Sequence, residues 1–285
     1  PGHTEGEQHK QITPPYWRFN YPEKQILFSA YHLSSKTIHD YVKALEKYKP
    51  KWLHGYPSQL SLLASLIQEY YPKYEPSVKI ITIGAESLLT HQKQILMSVF
   101  NCPVRQHYGL QESVANISEC NKGKLHVDED IAFVEFIKQD GSYKIVGTNW
   151  SNPAFPLFRY DTNDLAELPD SDKICSCGQT GRIVEEIDGR QEDYVTLPNG
   201  VKIGRLDHIF KDLTSIREAQ ITQNQNYYIT ISIVPRQSYS VETEVQLLSE
   251  VRKRLGNELV IKIKICDKIK RNRSGKFRFV VSKIS

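Results

Sequence analysis

The chain has 285 residues, of which 39% are hydrophobic and 25% charged, and a formal net charge of +4. That balance supplies a real core and excludes disorder over most of the length. The mild positive excess does not call for nucleic acid, and no apolar run approaches the roughly 18 residues of a membrane span. No charged-then-apolar leader opens the chain, so the expected compartment is the cytoplasm. The first residue is Pro1, which suggests a fragment or a processed product.

Residues 1–25 are polar and carry Gly2, Gly6, Pro14, Pro15 and Pro22, a pattern of loop or extended chain. From Ser34 to Tyr48 the apolar residues Ile38, Tyr41, Val42 and Leu45 recur at helical spacing, with Ser34 or Ser35 as cap and Pro50 as stop. His54 to Ser58 reads as a turn. A second helix follows, with Leu60, Leu63, Ala64 and Ile67 on one face, ending before Pro72. Val78 to Ile83 is short and β-branched and runs into Gly84, as a buried parallel strand would. Thr90 caps a third helix through Phe100, and Val104 to Tyr108 is the next strand. Helix, strand, helix, strand at these lengths is an α/β pattern with a parallel sheet.

Beyond Glu119 the pattern changes. Ile131–Ile137 and Tyr143–Thr148 read as antiparallel strands joined through Asp140-Gly141-Ser142. A loop-rich stretch with Pro153, Pro156 and Pro169 leads to the charged joint 188–193. After it comes a compact α+β unit. Its strands are Tyr227–Val234 and Leu259–Ile265, and its helix runs from Val241 to Leu255 under a Ser240 cap. We place a domain boundary at the joint, giving units 1–189 and 190–285.

Four segments carry candidate chemistry, and each has an ordinary structural reading beside it. Tyr108-Gly109-Leu110-Gln111-Glu112 follows a strand, where an α/β sheet binds ligands. A ring there can stack on a base, and a carboxylate can hold Mg²⁺; it can equally be a plain strand-to-loop turn. Phe158 to Asp164 places a carboxylate in a tight turn, suited to a ribose diol or to a surface Asx-turn. Asp188 to Asp193 is either a hinge whose Arg190 reaches a sugar or phosphate, or a solvated linker. The run Lys268, Lys270, Arg271, Arg273, Lys276 and Arg278 is a basic tail, within which Ser274-Gly275-Lys276 forms a turn that aims one ammonium.

In this order the segments resemble the adenylate-forming enzyme superfamily, within the phenylacetate–coenzyme A ligase-like family and its CapK-type capsular-polysaccharide-biosynthesis branch. Tyr108 to Glu112 is similar to Tyr-Gly-x-Thr-Glu, and Arg159 to Asp164 to Arg-Tyr-x-Thr-Gly-Asp. Gly189 to Asp193 matches the Gly-Arg-x-Asp-Asp hinge, and Asn272 to Lys276 the terminal Ser-Gly-Lys turn. Gly84-Ala85-Glu86 resembles the loop along the adenine. The resemblance implies an α/β fold: the C-terminal part of a large AMP-binding domain, then a small mobile lid.

The resemblance also implies roles. Tyr108, beside Gly109, would stack on adenine, Glu112 would hold Mg²⁺, and Asp164 would bind the ribose hydroxyls. Arg190 would support ribose or phosphate, Glu192 would mark the hinge, and Lys276 would be the catalytic cation. The implied activity is ATP-dependent adenylation of a small organic acid, with transfer to coenzyme A. The acceptor could instead be a hydroxyl or amine of a cell-surface polymer precursor, or the chain could be a non-catalytic binding module. Gln111, Asn163 and Glu192 depart from the family's Thr, Gly and Asp. The Ser/Thr/Gly-rich phosphate loop falls N-terminal to this stretch in the family, so this chain alone is expected to be inactive.

Five cysteines do not make a secreted disulfide scaffold. Cys175 and Cys177, separated only by Ser176, favour a shared metal. With Cys120 and His126 they would give three thiolates and an imidazole, a donor set for structural Zn²⁺. The alternative is that Cys120 and His126 are unrelated to the pair. Cys102 and Cys266 are expected as free thiols.

Overall fold

In the computed structural model, residues 13–139, 141–170, 174–190, 194–203, 206–210, 213, 215–270 and 277–284 are described, with only the backbone for 188–190, 202, 207 and 208. Strands and helices are numbered in chain order. A short hairpin, β1 (Trp17–Asn20) and β2 (Gln25–Phe28), opens the described chain, in a stretch whose sequence suggests loop. Its aromatic residues pack together with Tyr48: Trp17 meets that ring edge-on and Phe19 stacks on it.

The main sheet has the order β11-β7-β6-β5-β4-β3. It comprises β3 (Trp52–Gly55), β4 (Ile80–Gly84), β5 (Val104–Gly109), β6 (Asn116–Glu119), β7 (Leu125–Val127) and β11 (Ile183–Val184). β3, β4 and β5 run parallel, and the rest pair antiparallel. Parallel neighbours need helical crossovers. These are α2 (Pro57–Tyr70) and α3 (Thr90–Phe100), with α1 (Ile38–Tyr48) preceding them. Ile38, Tyr41, Val42, Leu45, Leu63, Ile67, Leu96 and Phe100 share one core with Ile81, Ile83 and Val104. α1 begins at Ile38 rather than at Ser34, because Ser34–Thr37 forms a hydrogen-bonded turn first. In α3, Gln92 reaches back to accept the Leu89 amide at 3.0 Å, and Thr90 is already helical.

The second sheet has the order β12-β10-β9-β8. Its strands are β8 (Ala132–Gln139), β9 (Ser142–Asn149), β10 (Tyr160–Glu167) and β12 (Glu186–Arg190), all antiparallel. Its inner side joins that of β6 and β7 through Ala115, Ile117, Val134, Ile145 and Val184. After the small hairpin β13 (Val195–Thr196) and β14 (Lys202–Ile203), the C-terminal unit forms a four-stranded sheet, β17-β16-β15-β18. Those strands are β15 (Ile216–Gln225), β16 (Tyr228–Pro235), β17 (Val260–Ile265) and β18 (Val280–Ser282). α4 (Val241–Leu255) crosses between the parallel pair β16 and β17 and buries Leu247, Val251 and Leu255 against Ile221, Ile229 and Ile231. Glu242 and Glu244 in its first turn and Arg252, Lys253 and Arg254 in its last complement the helix dipole.

The C-terminal unit rests on α2 and on the β4–α3 loop. Arg217 pairs with Glu69 at 2.9 Å, Gln237 donates to the same carboxylate at 3.4 Å, and Arg236 donates to Ser65 at 3.2 Å. Between them lies a cavity of about 20 Å³, lined in part by Ser58, His91, Arg217 and Phe277, with room for about one water.

Candidate functional site

Tyr108 and Asp164 are 56 residues apart in sequence, yet the Tyr108 hydroxyl donates to Asp164 Oδ2 at 2.7 Å. Tyr108 sits near the carboxyl end of β5, and Asp164 is 8% exposed on β10. The turn expected around Asp164 is in fact a strand with a bulge: the β10–β9 register shifts between Asp161 and Leu165. Two short bonds build the bulge. The Asn163 amide donates to Asp161 Oδ1 at 3.0 Å, and the Asp164 amide to Thr162 Oγ1 at 3.1 Å. Asn163 adopts φ 58°, the left-handed region in which Gly is at ease and Asn is the next best tolerated residue. Asn in place of Gly therefore keeps this backbone. Lys144 holds the Asp161 carboxyl below the usual carboxylate range through a 2.8 Å bond.

Gly84 ends β4 directly beside His107 of β5, one residue before Tyr108. A Cβ at Gly84 would lie 2.9 Å from the His107 carbonyl oxygen, so only glycine lets the strands stay this close. Ala85 follows at φ 65°, an uncommon conformation for alanine that turns the chain sharply. Glu86 then accepts the Ser58 amide on Oε2 at 3.2 Å and the Phe277 amide on Oε1 at 2.6 Å. Glu112 is half-buried, and its carbonyl accepts from the buried Asn149 at 2.8 Å. The Tyr160 hydroxyl stands 3.5 Å from Glu112 Oε1. β10 thus carries both Asp164 and a ring beside Glu112. Arg190 faces Asp164 across the β10–β12 ladder. Glu192 and Lys276 lie outside the described residues.

Thr162, Asn149 and Tyr160 support these groups and were not singled out by the sequence. Tyr160 and Thr162 stand inside a recognised motif, but Asn149 has no local signal. Glu119 was missed as well. It is 7% exposed, accepts the Gln106 amide at 2.8 Å and pairs with Lys93 at 3.0 Å, tying α3 to β5 beside Cys120.

Cys120, His126, Cys175 and Cys177 converge, with one ligand atom from each lying within 4.8 Å of all the others. Cys120 and Cys175 sulfurs are 3.8 Å apart, and Cys177 Sγ is 3.5 Å from His126 Nε2. His126 Nδ1 lies 3.0 Å from the Gly181 carbonyl oxygen. Donation there places the proton on Nδ1 and leaves the Nε2 lone pair facing the thiols. Cys120 Sγ accepts the Lys122 amide, and Cys177 Sγ the Gln179 amide, each at 3.3 Å. Gly178 at φ 86° makes the second of these turns possible. Burial raises the Cys120 thiol pKa. The Lys124 and Lys122 backbone and the neighbouring thiols outweigh that and bring it to about 6. The donor set and its spacing fit a tetrahedral metal closed to water. Cys102 and Cys266 are free thiols.

Residues 195–283 match the family described as the CapK C-terminal domain. The chain is 25% identical over 282 residues to Protein CapK of Staphylococcus aureus, covering 96% of this chain and 62% of that protein. Its fold is similar to 2-hydroxyisobutyryl-CoA ligase in the postadenylation state with an acyl-AMP bound, with a TM-score of 0.70 and 19% identity, covering 88% of this chain and 58% of that one. Anthranilate CoA ligase AuaEII in complex with anthranoyl-AMP gives a TM-score of 0.60 at 10% identity, over 86% of this chain and 52% of that one. A benzoate CoA ligase of Burkholderia xenovorans gives 0.58 at 16%, over 86% and 53%. The chain therefore spans about half to three fifths of the length of these relatives, and its fold is that of adenylate-forming ligases with a small C-terminal domain.

Proposed function

We propose that this chain, of the adenylate-forming superfamily and CapK type, belongs to an enzyme that activates an organic acid as its acyl-adenylate and passes the acyl group to coenzyme A. The observation that carries the reading is the meeting of Tyr108 and Asp164 at the carboxyl end of the parallel strands. In this reading Asp164 accepts the ribose hydroxyls, and Tyr108 positions it while stacking on the base. The Gly84–Glu86 backbone lines the adenine, Gly109 allows close approach, and Glu112 holds Mg²⁺. Arg190, opposite Asp164 in the ladder, supports the ribose or phosphate. Lys276 supplies charge as the carboxylate attacks the α-phosphate, on a lid hinged near Glu192. Transfer of this kind depends on positioning and cationic stabilisation more than on a nucleophilic side chain. ATP supplies the leaving pyrophosphate, and two of the solved relatives carry acyl-AMP adducts.

The four-ligand cluster holds a structural Zn²⁺ in this reading. All four positions are protein groups, so the metal contributes folding energy rather than an activated water. Pyrophosphate release by the full-length protein, screened with ATP and a panel of aliphatic and aromatic acids, tests the activity. Thioester formation with coenzyme A tests the acceptor. No acid-dependent pyrophosphate release from a nucleotide-binding, folded protein would overturn the adenylation reading. Release without thioester, but with capture by a hydroxyl or amine acceptor, would overturn the coenzyme A assignment alone.

A further inference from the structure

The carboxylate of Glu86 does not face the cleft as a free ligand group. One oxygen takes the Ser58 amide and the other the Phe277 amide. Ser58 is the second residue of α2, where Pro57 opens the helix and an unpaired N–H awaits a partner. A carboxylate there is favoured by the helix dipole as well. Phe277 belongs to the C-terminal unit, 191 residues further along the chain. Glu86 is thus a clamp: one oxygen is anchored on the rigid start of α2, and the other holds the terminal segment. The sharp turn that aims it costs something, since Ala85 sits at φ 65° and Gly84 admits no side chain. Strain of that kind persists where surrounding contacts demand it.

From this geometry we infer that Glu86 is a positioning residue that fixes the register of the C-terminal unit's last segment on the body through the Phe277 amide. The residue peptide-linked to Phe277 is Lys276, one covalent step of about 3.8 Å between Cα atoms, so a contact that fixes Phe277 acts directly beside it in sequence. The catalytic consequence rests on the adenylation role proposed for Lys276; the clamp itself does not. Arg217–Glu69 and Arg236–Ser65 seat the unit on α2. Among these described contacts, the Glu86 bond alone adjoins the Ser-Gly-Lys turn in sequence. Lys268, an exposed lysine, also reaches the Tyr31 carbonyl at 3.3 Å.

Hydrogen–deuterium exchange on the 285-residue chain, resolved to the Phe277 amide, tests the clamp without any substrate. Glu86→Ala should speed exchange at Phe277 and Ser58 by on the order of tenfold or more, the cost of a lost charge-assisted bond. Amides of β16 and β17 serve as the folding control and should be unmoved. Glu86→Asp keeps the charge but shortens the reach by about 1.5 Å, so it should free one of the two amides while the chain stays folded. Unchanged exchange at Phe277 in both variants overturns the clamp.

In the full-length protein, Glu86→Asp should slow acyl-adenylate formation more than the reaction of supplied acyl-adenylate with coenzyme A. Equal loss in both steps overturns the positioning role. A wild-type protein that protects Phe277 yet releases no pyrophosphate with any acid supports the clamp and sinks the adenylation reading instead.

Discussion

Lowering the pH should loosen the seat of the C-terminal unit, because His91 is buried there without charge. His91 stands in the first turn of α3 and lines the cavity beneath Arg217 and Phe277, and its Nδ1 has no hydrogen-bond partner. Burial, and then the Arg236 guanidinium, push its pKa down from 6.5 to about 4. Arg217 and Glu218 also line the cavity, and Glu69 is the anion nearest Arg217. When the unit lifts away or the chain unfolds, the imidazole regains its ordinary value.

The sign follows from proton counting. Above pH 6.5 neither state binds a proton at His91, and stability is full. As pH falls toward 4 the open state binds one and the closed state does not, so stability declines. Below about 4 both are protonated and the loss levels off. The full difference is roughly 3 kcal/mol, with about 2 kcal/mol already lost at pH 5. Urea denaturation of the wild type and His91→Leu from pH 7.5 to 4.5 isolates this contribution. Groups elsewhere in the chain titrate alike in both proteins and cancel in the difference. The wild type should lose about 2 kcal/mol relative to the variant between pH 7.5 and 5. Parallel curves over that range would refute the buried neutral histidine and the docked arrangement around it.

The chain purified without added metal should carry about one zinc, by elemental analysis. Cys175→Ser should empty the site and lower Tm by roughly 2–4 °C for each kcal/mol of binding energy lost; a zinc-free, equally stable wild type contradicts this. Asp164→Ala should weaken nucleotide binding by on the order of tenfold or more in calorimetry, since it removes a buried charged acceptor. Lys276→Ala in the full-length protein should slow acyl-adenylate formation by on the order of 10²–10³ and spare the thioester step, read by single-turnover kinetics. Glu119→Ala should cost about 3 kcal/mol in urea denaturation, because Lys93 and the Gln106 amide lose a buried partner.

What the sequence reveals tracks how local the determining contacts are. α4 lies at Val241–Leu255 as its periodicity requires, because a helix satisfies its own backbone and shows its buried face at 3.6-residue spacing. The parallel strand β4 is legible for a related reason: it runs as a short, largely β-branched stretch into a glycine. β3 takes in His54 and Gly55, where the sequence suggests the start of a turn: Trp52-Leu53-His54-Gly55 buries only Leu53, and its strand character comes from pairing with Ile80–Ile83 far along the chain. β15 has little local signal. Its Ile-Arg-Glu-Ala-Gln run has weak alternation, and one of its inward residues is the fully buried Gln223. That amide is tolerated because both its ends pair with the Thr196 backbone at 2.8 Å, which imitates a strand neighbour no local window contains.

The site residues divide along the same line. Tyr108, Glu112 and Asp164 could be named from their motifs, but the 2.7 Å bond between Tyr108 and Asp164 required two sheets to converge. The metal ligands show the point more sharply. Cys175-Ser176-Cys177 announces itself by spacing, whereas Cys120 and His126 become partners only because β7 pairs with β11, bringing His126 opposite Ile183 just after the cysteine loop. Motif spacing therefore identifies which chemistry is available, and strand register decides which groups can act together. The Glu86 clamp lies at the far end of this scale. Nothing in Gly84-Ala85-Glu86 distinguishes a carboxylate that meets a nucleotide from one that holds a backbone amide 191 residues away; only the docked arrangement does, with Ala85 turned to φ 65° to aim it.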